Sequence, residues 1–380
     1  MSGLRRAASL TALITLAGLA AAGCGGDGDG SGTGDGSGTG AGGWAGDDYS
    51  VAKALAEVPA AAGADEDHRT IVRTGDLAAA TELAGLERPD RLDDKAAIAW
   101  LLPLTGGRID GDDPAVVHVP MPETLHSSGL SVIEDFDAEL GWSILDVDVF
   151  VEQSTPPATF LMASGELGQD SLADDLTEVS DGIVSAGDGD DLELDPGQGT
   201  VARPLGLPLR MAVDGDRLVA SPQTSFVEDW LAGPEESLAD DETLLSVAEA
   251  LDEAEVVSAI LITLGAEETS SPDTDTDSEA PGVPFDTFGI GWGVEDDEAL
   301  VSVAYHFESD DAADAAAGDL EELFRDGTST TKQPLSDLVS VEDVTVDGPV
   351  ATVALTMAGD HPPAILEQML LRHDTPFRRG

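Results

Sequence analysis

Thiols and lysines are almost missing from this chain. Cys24 is its one cysteine among 380 residues, so it can form no internal disulfide and no multi-thiolate metal site. Lys53, Lys95 and Lys332 are its only lysines, and all basic residues together number 17 against 76 acids, a formal charge of −59. Phosphate backbones are held by clustered cations. Nucleic acid is therefore not expected as a partner, and an anionic lipid surface would repel the chain. Aromatic residues make up 4% of the sequence. The five tryptophans (Trp44, Trp100, Trp142, Trp230 and Trp292) are dispersed, which fits core or edge positions better than a sugar-stacking platform. There is no H-E-x-x-H, no G-x-S-x-G and no P-loop.

What the chain does have begins at the N-terminus. Met1 to Arg6 carries two arginines and no acid, and Ala7 to Ala22 is uncharged and rich in Ala and Leu. A basic start followed by an apolar run of this size predicts a secretory signal, because the run is short for a membrane span. It ends at Ala21-Ala22-Gly23-Cys24. This stretch resembles the lipobox of bacterial lipoproteins, in which diacylglycerol is joined to the cysteine by a thioether and a dedicated peptidase cuts just before it. Position 21 holds Ala where that family more often has Leu. The resemblance implies that residues 1–23 are removed and that Cys24 is the lipidated site. It also implies that acyl chains such as palmitate hold the protein on the extracytoplasmic face of the membrane. Buried acyl chains contribute about 0.8 kcal/mol per methylene, and two or more give stable anchoring.

Residues 24–47 read as a tether. After Cys24 they are mostly Gly, Asp, Ser and Thr, with no β-branched aliphatic residue and one aromatic, Trp44. Such a segment behaves as a flexible coil, and ~20 residues of it span about 25 Å. Asp27, Asp29 and Asp35 hint at a calcium loop, but its twelfth position is Gly38 and not Glu.

Cleavage before Cys24 would remove two arginines and no acid, taking the formal charge from −59 to −61. The acids are spread along the chain and not gathered into one tract. That distribution favours adaptation to a salty medium, with weak non-specific cation association, over a dedicated cation-binding surface. Apolar residues make up 41% of the sequence, enough to bury a core.

Beyond residue 47 the pattern mixes short helices and strands, and two domains are expected, 48–198 and 199–380. Short helices are predicted at 51–57, 77–84 (capped by Asp76), 95–102 and 171–179. Strands are predicted at 70–73, 116–119, 146–151 and 159–163. The second half is clearer. Asp214-Gly215 and Asp347-Gly348 are favoured turn pairs for hairpins. Ser225 and Glu228 have capping-box spacing, and Asp240 or Asp241 caps the next helix. Val256 to Leu264 reads as a buried strand, and residues 267–282 as an acidic loop. Val301, Val303, Tyr305 and Phe307 share one strand face. Ser309 caps a helix whose buried stripe is Ala313, Ala316, Leu320, Leu323 and Phe324. Hairpins alternating with single amphipathic helices predict an α+β fold of antiparallel sheets with helices on one face. The strand, helix, hairpin order over Ala299 to Met357 is that of a ferredoxin-like unit. Val149 to Val179 echoes it weakly, leaving two ferredoxin-like repeats as one reading. In its lipobox, its tether, its preference for Arg over Lys and phrases such as "DGDRLVASPQTSFVEDWL", the chain resembles lipoproteins of high-GC Gram-positive bacteria. That resemblance implies no particular activity.

No catalytic residue, cofactor site or metal site emerges from the side chains. His118 and His126 flank a Pro-rich loop containing Glu123, and surface loop positions are a better reading than a metal site. His306 reads as an ordinary sheet residue. Asp273, Asp275 and Asp277 have calcium-loop spacing, but Ser278 and Pro284 stand where Gly and Glu are needed. The sequence therefore predicts a non-enzymatic binding or structural envelope protein, with another envelope protein as its partner. A transporter's solute-binding lipoprotein and an extracellular hydrolase are the alternatives.

Overall fold

The computed structural model describes residues 49–60, 69–108, 114–125, 132–155, 158–264 and 283–377. Cys24, the tether, His68, His126 and the acidic loop with Asp273, Asp275 and Asp277 lie outside the described residues.

Among the described residues, twelve strands form one sheet. In chain order they are β1 (Thr70–Asp76), β2 (Val147–Thr155), β3 (Ala158–Gly165), β4 (Thr177–Ser180), β5 (Ile183–Ala186), β6 (Leu209–Asp214), β7 (Arg217–Ser221), β8 (Ser258–Thr263), β9 (Phe285–Glu295), β10 (Glu298–Phe307), β11 (Val339–Asp347) and β12 (Val350–Met357). Every strand pair is antiparallel. The helices whose bounds lie among the described residues are α1 (Val51–Ala56), α2 (Leu77–Leu83), α3 (Asp94–Leu104), α4 (Ile133–Leu140), α5 (Thr224–Ala232), α6 (Glu242–Glu253), α7 (Asp310–Asp326) and α8 (Ile365–Leu371), and residues 123–125 are helical as well. The α+β class with an antiparallel sheet is thus as expected.

The helices lie on both faces of the sheet, not on one. β8 explains why. Its sequence is Ser-Ala-Ile-Leu-Ile-Thr, so Ile260 and Ile262 face one side while Ala259 and Leu261 face the other. A strand apolar at successive positions must be covered twice. On the first face Ile260 and Ile262 share a core with α2, α3, α4, α7 and α8. On the second, Ala259 and Leu261 pack with α1, α5 and α6. α1 is tied to α6 by Asp252, which accepts the Val51 and Ala52 N–H groups at 2.6 and 3.1 Å.

The strand order is β11-β12-β10-β9-β8-β1-β2-β3-β7-β6-β5-β4. Read outward from the central β8–β1 pair, both sides follow one plan: three consecutive strands, then a hairpin docked by its second strand. In β10-α7-β11-β12 a helix precedes that hairpin and β12 lies between β10 and β11, the ferredoxin-like order predicted. On the other side the β4–β5 hairpin stands in the helix's place. The predicted helix over 171–179 is absent: a 3₁₀ turn at Gln169–Ser171 is followed by β4. The expected boundary at 198/199 is also not a division, since β3 pairs with β7 across it, Leu161 opposite Ala220. The plan repeats instead about the β8–β1 pair.

Two local readings change as well. Residues 116–119 form no ladder. They lie over the sheet, where the Val119 N–H bonds the Leu104 carbonyl at 2.8 Å and the His118 carbonyl accepts the Ser258 hydroxyl. The Ser225–Glu228 capping box does not form. Asp191, from a distant loop, accepts the Thr224 N–H at 2.7 Å and its hydroxyl at 2.8 Å, while Glu228 binds the Ser180 hydroxyl. The Asp76, Asp241 and Ser309 caps are in place.

Candidate functional site

The site rests on one row of the sheet. Cross-strand neighbours run from Val344 through Val353, Val303, Ile290 and Ile260 to Arg73 on β1. They continue through Glu152 on β2 to Leu161, Ala220, Met211 and Val184. The apolar members all belong to, or pack against, the first-face core. The row ends at Glu178 on β4, which is exposed; Arg73 and Glu152 are its only buried charged residues, and they stand opposite each other. Both are buried, Arg73 to 7% exposure and Glu152 to 0%. A charged pair in the middle of an apolar row loses hydration that hydrophobic residues would not lose. A feature that breaks the local pattern in this way points to function.

Glu152 holds down the segment above it. Its carboxylate accepts the N–H groups of Glu123 at 2.6 Å and Thr124 at 2.9 Å. Burial pushes its carboxyl above the usual range. The bonds from Thr124 and Glu123 and the charge of Arg73 oppose that shift. Gly75 lies two residues beyond Arg73 on the same strand face and lets the segment come close, since a Cβ there would sit 3.3 Å from a Val119 methyl.

His118, on the same segment, is 1% exposed, a correction to the surface position expected for it. Its Nδ1 is 3.1 Å from the Leu104 carbonyl and its Nε2 is 2.8 Å from Glu367 Oε2 on α8. The carbonyl can only accept, so Nδ1 carries a hydrogen. The ring also meets Trp292 edge-on at 4.7 Å, and the Trp292 indole N–H donates to the Pro363 carbonyl at 3.1 Å.

Arg73 is less well served. Its Nη1 is buried and has no hydrogen-bond partner among the described residues. The Glu123 carboxylate is 3.7 Å away, on a side chain that is 59% exposed. Arg73 lines a cavity of about 340 Å³ together with Leu101, Leu102, Thr105, His118, Val119, Met121, Glu123, Glu367 and Leu371. One wall is apolar and the other carries a guanidinium with an unused donor.

The remaining sequence candidates are placed elsewhere. His306 is a partly buried sheet residue whose Nδ1 lies 2.7 Å from Asp286. Trp100, Trp142, Trp230 and Trp292 are buried, as expected of core residues, and Trp44 lies outside the described residues. Among the described residues no group of three or more His, Cys, Asp and Glu is arranged to hold a metal ion, and no helix is long and apolar enough to cross a membrane. A larger groove of about 1180 Å³ lies on the second face and includes Glu249, Glu253, Glu298 and Asp343. It is a solvated acidic surface and has no counterpart to Arg73.

Sequence reasoning missed Arg73 and Glu152. The signal was present: in Thr-Ile-Val-Arg-Thr-Gly-Asp and Val-Asp-Val-Phe-Val-Glu-Gln-Ser-Thr a charge of each sign interrupts an apolar strand. Only the register shows that the two interruptions face each other.

No family model matches the chain, and no curated protein matches its sequence. Among solved structures, crystal form I of TP0453 matches with 8% identity and a TM-score of 0.32, over 83% of this chain and 97% of that one. A likeness that low carries no argument about fold or function.

Proposed function

We propose that the chain is an exported lipoprotein, anchored on the extracytoplasmic face of the membrane through acylated Cys24, whose folded body binds a ligand or an envelope partner and catalyses no reaction. The observation that carries the reading is the position of Cys24. The chain's single thiol stands at the end of the N-terminal apolar run, directly after Ala21, Ala22 and Gly23. Binding is favoured over catalysis by the state of the site. His118 engages both ring nitrogens with Leu104 and Glu367, and both Glu152 oxygens accept backbone N–H groups. Neither is placed to activate a nucleophile.

Cys24→Ala tests the anchor. The unmodified chain is expected in the detergent phase of a temperature-induced phase separation. The variant, freed of residues 1–23, is expected in the aqueous phase, because neither acyl chain nor apolar leader remains to attach it. A variant that stays in the detergent phase sinks the assignment.

A further inference from the structure

We propose that the cavity beside Arg73 binds a small apolar carboxylate, its acid group on the Arg73 guanidinium and its chain between Leu101, Leu102, Met121 and Leu371. The inference rests on the reading of the folded body as a binding module and names the class of ligand that module takes.

The argument starts from the unused donor. Arg73 is 7% exposed, and its Nη1 is buried without a hydrogen-bond partner among the described residues. A buried polar group left unpaired is costly and points to a missing acceptor. Glu152, directly opposite, cannot supply one freely, since its oxygens already accept the Glu123 and Thr124 N–H groups. His118 is committed to Leu104 and Glu367. Glu123 stands 3.7 Å from Arg73, beyond hydrogen-bond reach, and its largely exposed side chain is free to turn into solvent. A guanidinium presents a planar fork that matches a carboxylate in a two-pronged contact. The donor set therefore favours an acid group entering where Glu123 now stands.

The walls give the rest of the ligand. Leu101 is buried, Leu102 and Met121 are half-buried, and Leu371 is 62% exposed at the rim. A leucine so exposed gains from being covered. A volume of about 340 Å³ lies at the small end of ligand pockets and suits one short apolar chain. The formal charge of −59 repels any anion at long range, so recognition must come from this local contact. Added salt should then strengthen binding by screening the rest of the surface.

The experiment is calorimetric titration and thermal melting of the Cys24→Ala chain freed of residues 1–23, purified without detergent, with decanoate, decanol and acetyl-leucyl-leucine below their aggregation limits. Decanoate is expected to saturate one site and raise the melting temperature. Decanol, which lacks the charge, should bind ~10-fold more weakly or worse. Glu123→Gln removes the competing carboxylate and should tighten decanoate several-fold while leaving decanol unchanged. Arg73→Gln should abolish the preference for decanoate. In case that variant fails to fold, Leu371→Asp places a negative charge on the exposed rim and should weaken decanoate selectively, with the melting temperature of the free protein unchanged. If acetyl-leucyl-leucine binds more tightly than decanoate, the proposal stands and the carboxylate is that of a peptide C-terminus. Equal binding of decanoate and decanol, or a Glu123→Gln chain with an unaltered preference, overturns it. The readout does not depend on acylation, so its failure leaves the Cys24 assignment intact, and failure of the phase-separation test leaves this one intact.

Discussion

Glu152→Ala is expected to destabilise the fold by about 3–6 kcal/mol, the range for losing two buried hydrogen bonds to a charged group. The substitution leaves two backbone N–H groups, those of Glu123 and Thr124, without their acceptor. It also removes the buried carboxylate opposite Arg73, leaving the largely exposed Glu123, 3.7 Å away, as its ion-pair partner. Chemical denaturation would show a lower midpoint, and a loss under 1 kcal/mol would mean that the covering segment is not held by Glu152. The pair should also shape the pH dependence. Burial raises the folded-state carboxyl above its usual range. The folded state therefore holds this proton more tightly than the unfolded state does. The favourable contribution is complete below the unfolded-state value, about 4.3, and is lost as pH rises through the higher folded value. Wild type should gain stability on acidification from pH 7 towards 5, and Glu152→Gln, which keeps the shape but cannot titrate, should lose that component. Glu57 and Asp252 are also raised, chiefly by burial, so the difference between the two proteins is the quantity to read. Identical slopes would rule out Glu152 as a source.

Where the sequence spelled out both ends and the buried face of an element, it was legible. α7 has Ser309 to start it, Gly327 to end it and Ala313, Ala316, Leu320, Leu323 and Phe324 on its buried stripe, all as read. Both hairpins were legible from their Asp-Gly pairs, but Asp214 and Asp347 belong to the strands and the two-residue loops are Gly215-Asp216 and Gly348-Pro349, with glycine first. What failed depended on partners far along the chain. The segment at 116–119 has the composition of a strand, yet its N–H and C=O groups are met by Leu104 and Ser258 and not by a ladder. α4 is held on the first-face core by Ile133, Phe136 and Leu140, but no side chain caps its start, so it gave no entry signal. The site was hidden for the same reason. Arg73 and Glu152 are 79 residues apart in sequence, and only the antiparallel register makes them neighbours. His118 was read as a surface residue because prolines surround it. Its burial comes from α8, which supplies Glu367 from 249 residues away.

Gly291→Val should cost about 3 kcal/mol, at the upper end for overpacking a core, and Gly318→Ala should do the reverse. β9 reads Phe-Asp-Thr-Phe-Gly-Ile-Gly-Trp-Gly-Val-Glu. Phe288, Ile290 and Trp292 fill the first-face core, and the alternate positions are glycines turned to the second face. There α6 lies against the strand. A Cβ at Gly291 would come within 2.6 Å of Val256 Cγ1 and 3.1 Å of Leu251 Cδ2, and one at Gly289 within 2.8 Å of Val247 Cγ1. The backbone at Gly291 is extended and would accept a side chain, so the obstacle is space alone. Val256 and Leu251 are themselves buried and have little room to yield. Gly318 is the counter-case: it is exposed on α7, with nothing within 4 Å of the point where an alanine methyl would stand. Alanine there gains helix propensity and should stabilise by up to about 1 kcal/mol. Paired thermal melts separate the two meanings of glycine in this chain. If both substitutions shift the midpoint in the same direction, the close approach of α6 to β9 is not what β9's glycines provide.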